Sequence, residues 1–373
     1  MTDKEFRCIY QESIRKVFRN SQSIGVSFPQ VASVETGMYN RELPFYWTAG
    51  FWGGLVWLAY RELKKESLMD LGWAIEEAMD RPLDDFQEMH HDVGFMWLPT
   101  AVFHHNLTGC ETSKIRGLKA ASLLSSRFNL NGRFIRAWNE EQREKSSGYV
   151  IIDCLMNLPL LYWASKTTGD PRFKQIACAH TDTVLKNFVR ANDSVPHIMN
   201  FNSETGELIG TVKGQGKSLD SIWSRGQAWG IYGFAIGYRE TGKKEYLDTA
   251  CRMARAFFEH LPEDKVPYWD FCSEQEDQYA RDSSAASIAA SGMLEISRLS
   301  RKEEDKQYYK QCAEEILSHI ISGYLCLDEK SQGLVTMGTV NYACRRYINQ
   351  PIIYGDFYFV EALAKLQGMS GVF

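Results

Sequence analysis

Two aspartates are the first residues in this 373-residue chain whose type and setting could do chemistry. Asp92 stands in His91-Asp92-Val93-Gly94-Phe95 and Asp153 in Ile152-Asp153-Cys154-Leu155, each before or within the first turn of an apolar segment. That is also an ordinary place for an N-capping carboxylate, so either one alone reads as a cap as readily as a catalyst. Together they offer more. Burial and mutual repulsion of two carboxyls in one cavity can hold one of them protonated near neutral pH, which is what an acid/base pair needs. Asp282 and Asp356 occupy similar starts and are expected to be structural caps.

Other polar groups gather around the pair. Arg225 lies between two tryptophans in Trp223-Ser224-Arg225-Gly226-Gln227-Ala228-Trp229, a poor setting for a solvated charge. Its fork suits a carboxylate ligand, and a buried ion pair with one of the aspartates is the competing reading. His91 adjoins Asp92. His197 shares a long loop with Gln215 and Lys217, and matters only if that loop folds over the site. Trp47, Trp138, Trp223, Trp229 and Trp269 fall near the same ends, and two or three of them are expected to stack on a sugar ring, the rest to pack the rim. His90-His91 and His104-His105 suggest a metal, but neighbouring histidines on a helix point apart and no HExxH spacing occurs, so no metal is expected. Gly214-x-Gly216 follows no strand and lacks a third glycine, so it is no nucleotide loop.

Helices must position these residues. Apolar residues recur at helical spacing almost throughout, and two-residue alternation is scarce, which gives an all-α fold. Leu107-Thr108-Gly109, Thr168-Gly169-Asp170-Pro171 and Glu240-Thr241-Gly242 each end one helix and lead into the next, with Gly and Pro as stop and start signals. The following helices share an aromatic four residues before Ala: Phe173 and Ala177, Tyr246 and Ala250, Tyr309 and Ala313. Six small-residue-rich helix starts, at Thr48, Asp92, Asp153, Arg225, Ser283 and Asp356, are 44, 61, 72, 58 and 73 residues apart, the length of a helical hairpin plus a loop. All-round apolar helices form an inner ring and amphipathic ones such as Lys302 to Ile320 an outer ring. The expectation is a single-domain (α/α)6 toroid over residues 1–373, with an open solenoid of hairpins as the alternative. The glycines at the inner starts favour closure.

Composition narrows the class. Lys and Arg number 42 against 47 Asp and Glu, for a net charge of −5, and no basic run suggests nucleic acid or an anionic membrane. A charged amino terminus and the lack of a long apolar span lead us to expect a cytoplasmic protein. Nine cysteines, an odd number without a CxxC pair, argue against a disulfide framework and a structural zinc site. Aromatics reach 13%, through sugar-stacking rings or a generous aromatic core.

His91-Asp92-Val93-Gly94-Phe95-Met96, Asp153 followed by Cys-Leu-Met-Asn, Trp223-Ser-Arg-Gly-Gln-Ala-Trp229-Gly-Ile-Tyr-Gly-Phe234 and Gly355-Asp356-Phe357-Tyr358-Phe359 resemble the unsaturated glucuronyl hydrolases of glycoside hydrolase family 88. The resemblance runs from Trp47 to Leu366. The Arg-Gly-Gln-Ala-Trp form sets the chain apart from the related unsaturated rhamnogalacturonyl hydrolases, which usually carry Arg-Gly-Asn-Gly-Trp there.

The resemblance implies a six-hairpin toroid acting on lyase-released disaccharides and short oligosaccharides that bear a 4,5-unsaturated glucuronate. It implies that Asp153 protonates C4 of the double bond and helps water add at C5, giving a hemiketal that opens and expels the remaining sugar. Asp92 would hold ring hydroxyls and raise the pKa of Asp153. His197, Gln215 and Arg225 would surround the uronate or the water, and Trp138 and Trp229 would stack on the sugar, with Trp47 and His91 as further substrate-binding candidates. No metal or organic cofactor is implied. Arg345 and Arg346 stand where some members carry a Ser/Lys-rich segment, and serve either a sulfate or solvent. Hydrolysis of unsaturated rhamnogalacturonyl units from pectin fragments and sugar epimerisation on the same toroid are the competing activities. A non-catalytic helical scaffold fits poorly, because Trp, Asp and Arg concentrate at one set of hairpin ends.

Overall fold

The computed structural model describes residues 1–139 and 146–373 of the chain. Twelve helical elements alternate between an outer and an inner ring. The first outer and inner pair is α1 (Asp3–Ile24) and α2 (Ala49–Leu63); the second is α3 (Glu66–Ala78) with, after the short α4 (Asp80–Asp85), α5 (Val93–Trp97) continuing into α6 (Phe103–Thr108). Then come α7 (Glu111–Ser126) with α8 (Pro159–Thr168), α9 (Pro171–Phe188) with α10 (Ser224–Thr241), α11 (Lys244–Glu259) with α12 (Ser283–Leu299), and α13 (Glu303–Gly323) with α14 (Ile353–Leu366). α14 packs on α2, so the last inner helix meets the first and the ring closes. The fold is an (α/α)6 toroid, as the six spacings require.

Burial separates the two rings. α12 is buried continuously from Ser283 to Ile296, whereas α13 buries Tyr309, Cys312, Ala313, Ile316, Leu317 and Ile320, the three-and-four spacing of a one-sided helix. Each buried Leu or Ile contributes roughly 1.5–3 kcal/mol against an exposed one. The aromatic–Ala pairs lie on α9, α11 and α13, where Tyr246 and Tyr309 are fully buried and each Ala lets a neighbouring helix close in. Gly109, Gly169 and Gly242 end their helices at φ values of 77°, 74° and 72°, a left-handed turn that a side chain resists. Gly50 is needed for closure: a Cβ there would lie 2.4 Å from the carbonyl oxygens of both Phe95 and Met96.

Much of the aromatic excess fills the axis of the ring. Phe51, Phe95, Trp229, Tyr354, Phe357, Tyr358 and Phe373 interlock with ring centroids mostly between 5 and 6 Å apart. Helical periodicity did not reveal the short strands in the connecting loops. The largest sheet joins Tyr149–Ile151, Ile198–Phe201 and Leu208–Val212, all antiparallel. It leads directly into Asp153, so the third inner element opens as a 3-10 turn over Ile152–Met156 and becomes α-helical only from Pro159. The second inner element is likewise broken by a π-turn over Leu98–Val102, which contains Pro99.

Candidate active site

The inner-helix starts surround a cavity of about 720 Å³ whose wall includes Trp47, Asp92, Trp138, Asp153, His197, Gln215, Arg225 and Arg346. Eight of the residues singled out from sequence thus meet in one place. His91, Trp229 and Arg345 do not line it. Glu42, Tyr46, Glu88 and Asn341 do, and nothing in their spacing marked them; His90, weighed from sequence only as half of a histidine pair, lines it too.

Asp153 sits in the 3-10 turn at the cavity floor. Its pKa is pushed up to about 7, first by burial and then by the charge of Asp92, against an opposing pull from Arg225. Among the described residues its Oδ2 accepts no hydrogen bond. His197 points Nε2 at that oxygen from 3.6 Å, while its Nδ1 accepts the backbone N–H of Gln215 at 3.0 Å. Gly214 makes this possible, since a Cβ there would lie 2.1 Å from the same Nδ1. The loop is held in turn by buried Asp270, which accepts from Lys217 N at 2.9 Å and from Ser221 Oγ at 2.7 Å. A floor carboxyl that is protonated near neutrality and approached by an imidazole can deliver a proton and take one back.

Asp92 occupies the N-cap position of α5, yet its side chain makes no capping hydrogen bond. Instead Oδ1 accepts from Asn157 Nδ2 at 3.2 Å, and the same nitrogen lies 3.4 Å from the main-chain oxygen of Asp153. Asn157 therefore fixes one carboxylate relative to the other, and its Oδ1 in turn accepts the N–H of Phe95 at 2.8 Å. Sequence reasoning quoted this asparagine as part of a motif and gave it no role. Burial raises the pKa of Asp92, with His90, the Asn157 bond and Arg127 pulling the other way.

Several expectations change. Arg225 is already engaged: it pairs with Asp282 and donates to the carbonyls of Thr339 at 2.7 Å and Val340 at 2.6 Å and to Gln215 Oε1 at 3.0 Å. The buried ion pair is thus the better reading of its fork, and its charge reaches the cavity from a side chain whose terminal nitrogens are already engaged. Asp282 also caps α12 through Ser284 N. Asp356 does not cap its own helix; it accepts from Tyr39 and from the N–H groups of Leu334 and Val335, pinning two loops. Trp229 is fully buried against Phe95 and Tyr358, one helical turn below Arg225, so it supports the floor and cannot stack on a sugar. Trp223 and Trp269 are buried too, leaving Trp47 and Trp138 as the half-buried tryptophans of the wall. Arg345 turns outward onto Tyr342 and Tyr279, while Arg346 remains on the rim.

The histidine pair departs most from expectation. His90 and His91 precede α5 and are not on a helix, so their rings do not point apart. His90 Nδ1 lies 3.3 Å from Asp92 Oδ2 and His91 Nε2 lies 3.1 Å from Asp92 Oδ1. His91 is behind Asp92, not at the cavity wall, with Nδ1 2.8 Å from the carbonyl oxygen of Ala137.

No family model matches the chain. Among curated proteins it is 36% identical to the unsaturated glucuronyl hydrolase of Bacillus sp. (strain GL1), covering 95% of this chain and 94% of the other. It is 35% identical to the unsaturated chondroitin disaccharide hydrolase of Streptococcus pyogenes serotype M1, over 86% and 80%. The crystal structure of the Bacillus sp. GL1 enzyme superposes with a TM-score of 0.94 at 34% identity, covering 98% of both chains. Near-full-length identity of this order, on a matching ring of helices, means that the chain belongs to the unsaturated glucuronyl hydrolases, a family of glycoside hydrolases.

Proposed function

We propose that the protein removes a 4,5-unsaturated glucuronate from the non-reducing end of lyase-generated glycosaminoglycan disaccharides and short oligosaccharides. The observation that carries this reading is Asp153: a buried carboxyl with a pKa of about 7, facing a sugar-sized cavity, with no protein donor on Oδ2. It starts protonated and gives its proton to C4 of the vinyl ether. The C4–H bond forms from the double-bond electrons, leaving the positive charge shared between C5 and the ring oxygen. Water then adds at C5 and returns a proton to the Asp153 carboxylate. The hemiketal so formed opens, and the glycosidic oxygen leaves with the rest of the sugar.

The remaining residues act around that step. His197 presents Nε2–H toward Asp153 and the incoming water. Asp92, anchored by Asn157, accepts from ring hydroxyls and keeps the Asp153 proton in place. Trp47 and Trp138 face the sugar ring, and Arg225 and Arg346 supply positive potential for the uronate. Arg346 lines the cavity where Arg345 does not, which supports assigning it a sulfate on the second sugar, and the relative from Streptococcus pyogenes, named for chondroitin disaccharides, makes that class the first to try. The test is a panel of lyase-generated unsaturated disaccharides, sulfated and unsulfated, with an unsaturated rhamnogalacturonan disaccharide beside them, followed by loss of the double bond's ultraviolet absorbance. Turnover of the pectin-derived compound alone would overturn the reading.

A further inference from the structure

We infer that His90, His91 and Asp92 form a binding site for a borderline divalent transition metal of the zinc type, whose occupation blocks the sugar site. One ligand atom from each residue falls in a group within 4.8 Å. His91 Nε2 lies 3.1 Å from Asp92 Oδ1 and His90 Nδ1, which also accepts the Asp92 N–H at 3.4 Å, lies 3.3 Å from Oδ2, close to the edge of about 3.3 Å expected between donors bonded at 2.0–2.1 Å, so a turn of the carboxylate lets one oxygen serve both imidazoles.

The independent observation is His91. A carbonyl oxygen can only accept, so the contact with Ala137 fixes the proton on Nδ1 and leaves a lone pair on Nε2. His91 is fully buried, and Nε2 has no hydrogen-bond donor. Nε2 and Asp92 Oδ1 thus face each other at 3.1 Å, an arrangement that either a shared proton or a metal cation between them satisfies. The bond from Nδ1 to a main-chain carbonyl is also the usual outer support of a metal-bound histidine, fixing its tautomer and ring plane. Imidazole with a carboxylate selects zinc, nickel, cobalt or copper over magnesium or calcium. Entry is through His90, which lines both the sugar cavity and a neighbouring one of about 830 Å³. A fourth position remains for water.

Cobalt(II) titrated into the full-length protein is the probe. The expected result is one ion per chain with ligand-field absorption of a tetrahedral or five-coordinate N/O site, and at least tenfold weaker binding in His90→Ala and in His91→Ala. His91 is buried, so His90→Gln, with folding checked by thermal melting, keeps the test decisive if His91→Ala fails to fold. No absorption with folded protein, binding unchanged in the His90 variants, or a thiolate charge-transfer band placing the metal on cysteine would each overturn the site. Blocking of the sugar site rests on the reading of this cavity as the substrate site. With an unsaturated disaccharide as substrate, zinc should raise KM and leave kcat alone, and a chelator should reverse it. Cobalt bound at the three residues in a protein that hydrolyses no unsaturated disaccharide would leave the metal site standing and refute the functional reading instead.

Discussion

The backbone N–H of Gln215 fixes the tautomer of His197. An amide N–H only donates, so Nδ1 must accept it at 3.0 Å, and the ring proton is left on Nε2, 3.6 Å from Asp153 Oδ2. The carboxyl proposed to do the chemistry therefore faces a ring nitrogen whose proton is set by the main chain.

Asp153→Asn should nearly abolish hydration, with a loss of at least about 10²–10⁴-fold, because the amide keeps the size and polarity of the carboxyl and cannot cycle a proton. Substrate affinity should survive. In heavy water the wild-type product should carry one deuterium at C4, read by mass spectrometry. Comparable turnover by Asp153→Asn, or product without the label, would remove Asp153 from the proton-transfer step.

The pH profile follows from the protonated form being the active one. Catalytic efficiency should fall as pH rises through about 7, the value at which Asp153 loses its proton. In Asp92→Asn the repulsive charge is gone while burial remains, so the falling limb should move to lower pH by less than the whole displacement. A limb that stays in place would show that the two carboxyls are not coupled.

Stability should fall in the same direction, over a lower pH window. The folded state holds a proton on Asp153 that the unfolded chain, with a carboxyl pKa near 3.9, has released, so stability is lost as pH rises from about 4 to about 7. Asp153→Asn has no such proton to lose. Its advantage in stability over wild type should grow across that window by on the order of 4 kcal/mol and then level off, measured by denaturant unfolding at several pH values. A constant difference would mean that the carboxyl titrates alike in both states.

The tryptophans should separate. Trp138→Ala is expected to raise KM with little change in Tm, because that ring is half-buried on the cavity wall. Trp229→Ala is expected to cost roughly 3–5 kcal/mol of stability, as for other buried aromatics, since it removes the ring between Phe95 and Tyr358. Equal Tm losses in the two variants would place both in the core.

Arg225→Lys should lower Tm and catalytic efficiency together. A lysine can reach Asp282 but cannot also satisfy two carbonyls and Gln215. A fall in efficiency at unchanged Tm would indicate direct contact with the uronate.

What could be read from sequence was whatever depended on spacing. Six helix starts at hairpin intervals imply a ring, and a ring brings Asp92, Asp153 and Arg225 to one mouth; His197 joins them only because its loop folds over the site. What could not be read depended on local direction. Trp229 lies only four residues beyond Arg225, and that one turn separates the mouth from the buried axis. His90 and His91 converge because their segment is irregular, a fact that helical periodicity in the flanking residues conceals. Asn157 shows its role only when the hairpins carrying Asp92 and Asp153 lie side by side. The sheet leading into Asp153 was missed because its strands are three to five residues long, too short for an alternating pattern to stand out.

Because both terminal nitrogens of Arg225 are bonded before any sugar arrives, its charge is preorganised: the cavity is electropositive at that point without a side chain having to reorient when the ligand binds. The same rigidity makes this arginine a poor handle for altering which sugars are accepted, since any replacement first disturbs Asp282 and the loop at Thr339–Val340. Selection for new substrates should instead accumulate at the rim, at Glu42, Glu88 and Arg346, where side chains face the cavity and a change in charge leaves the ring of helices intact.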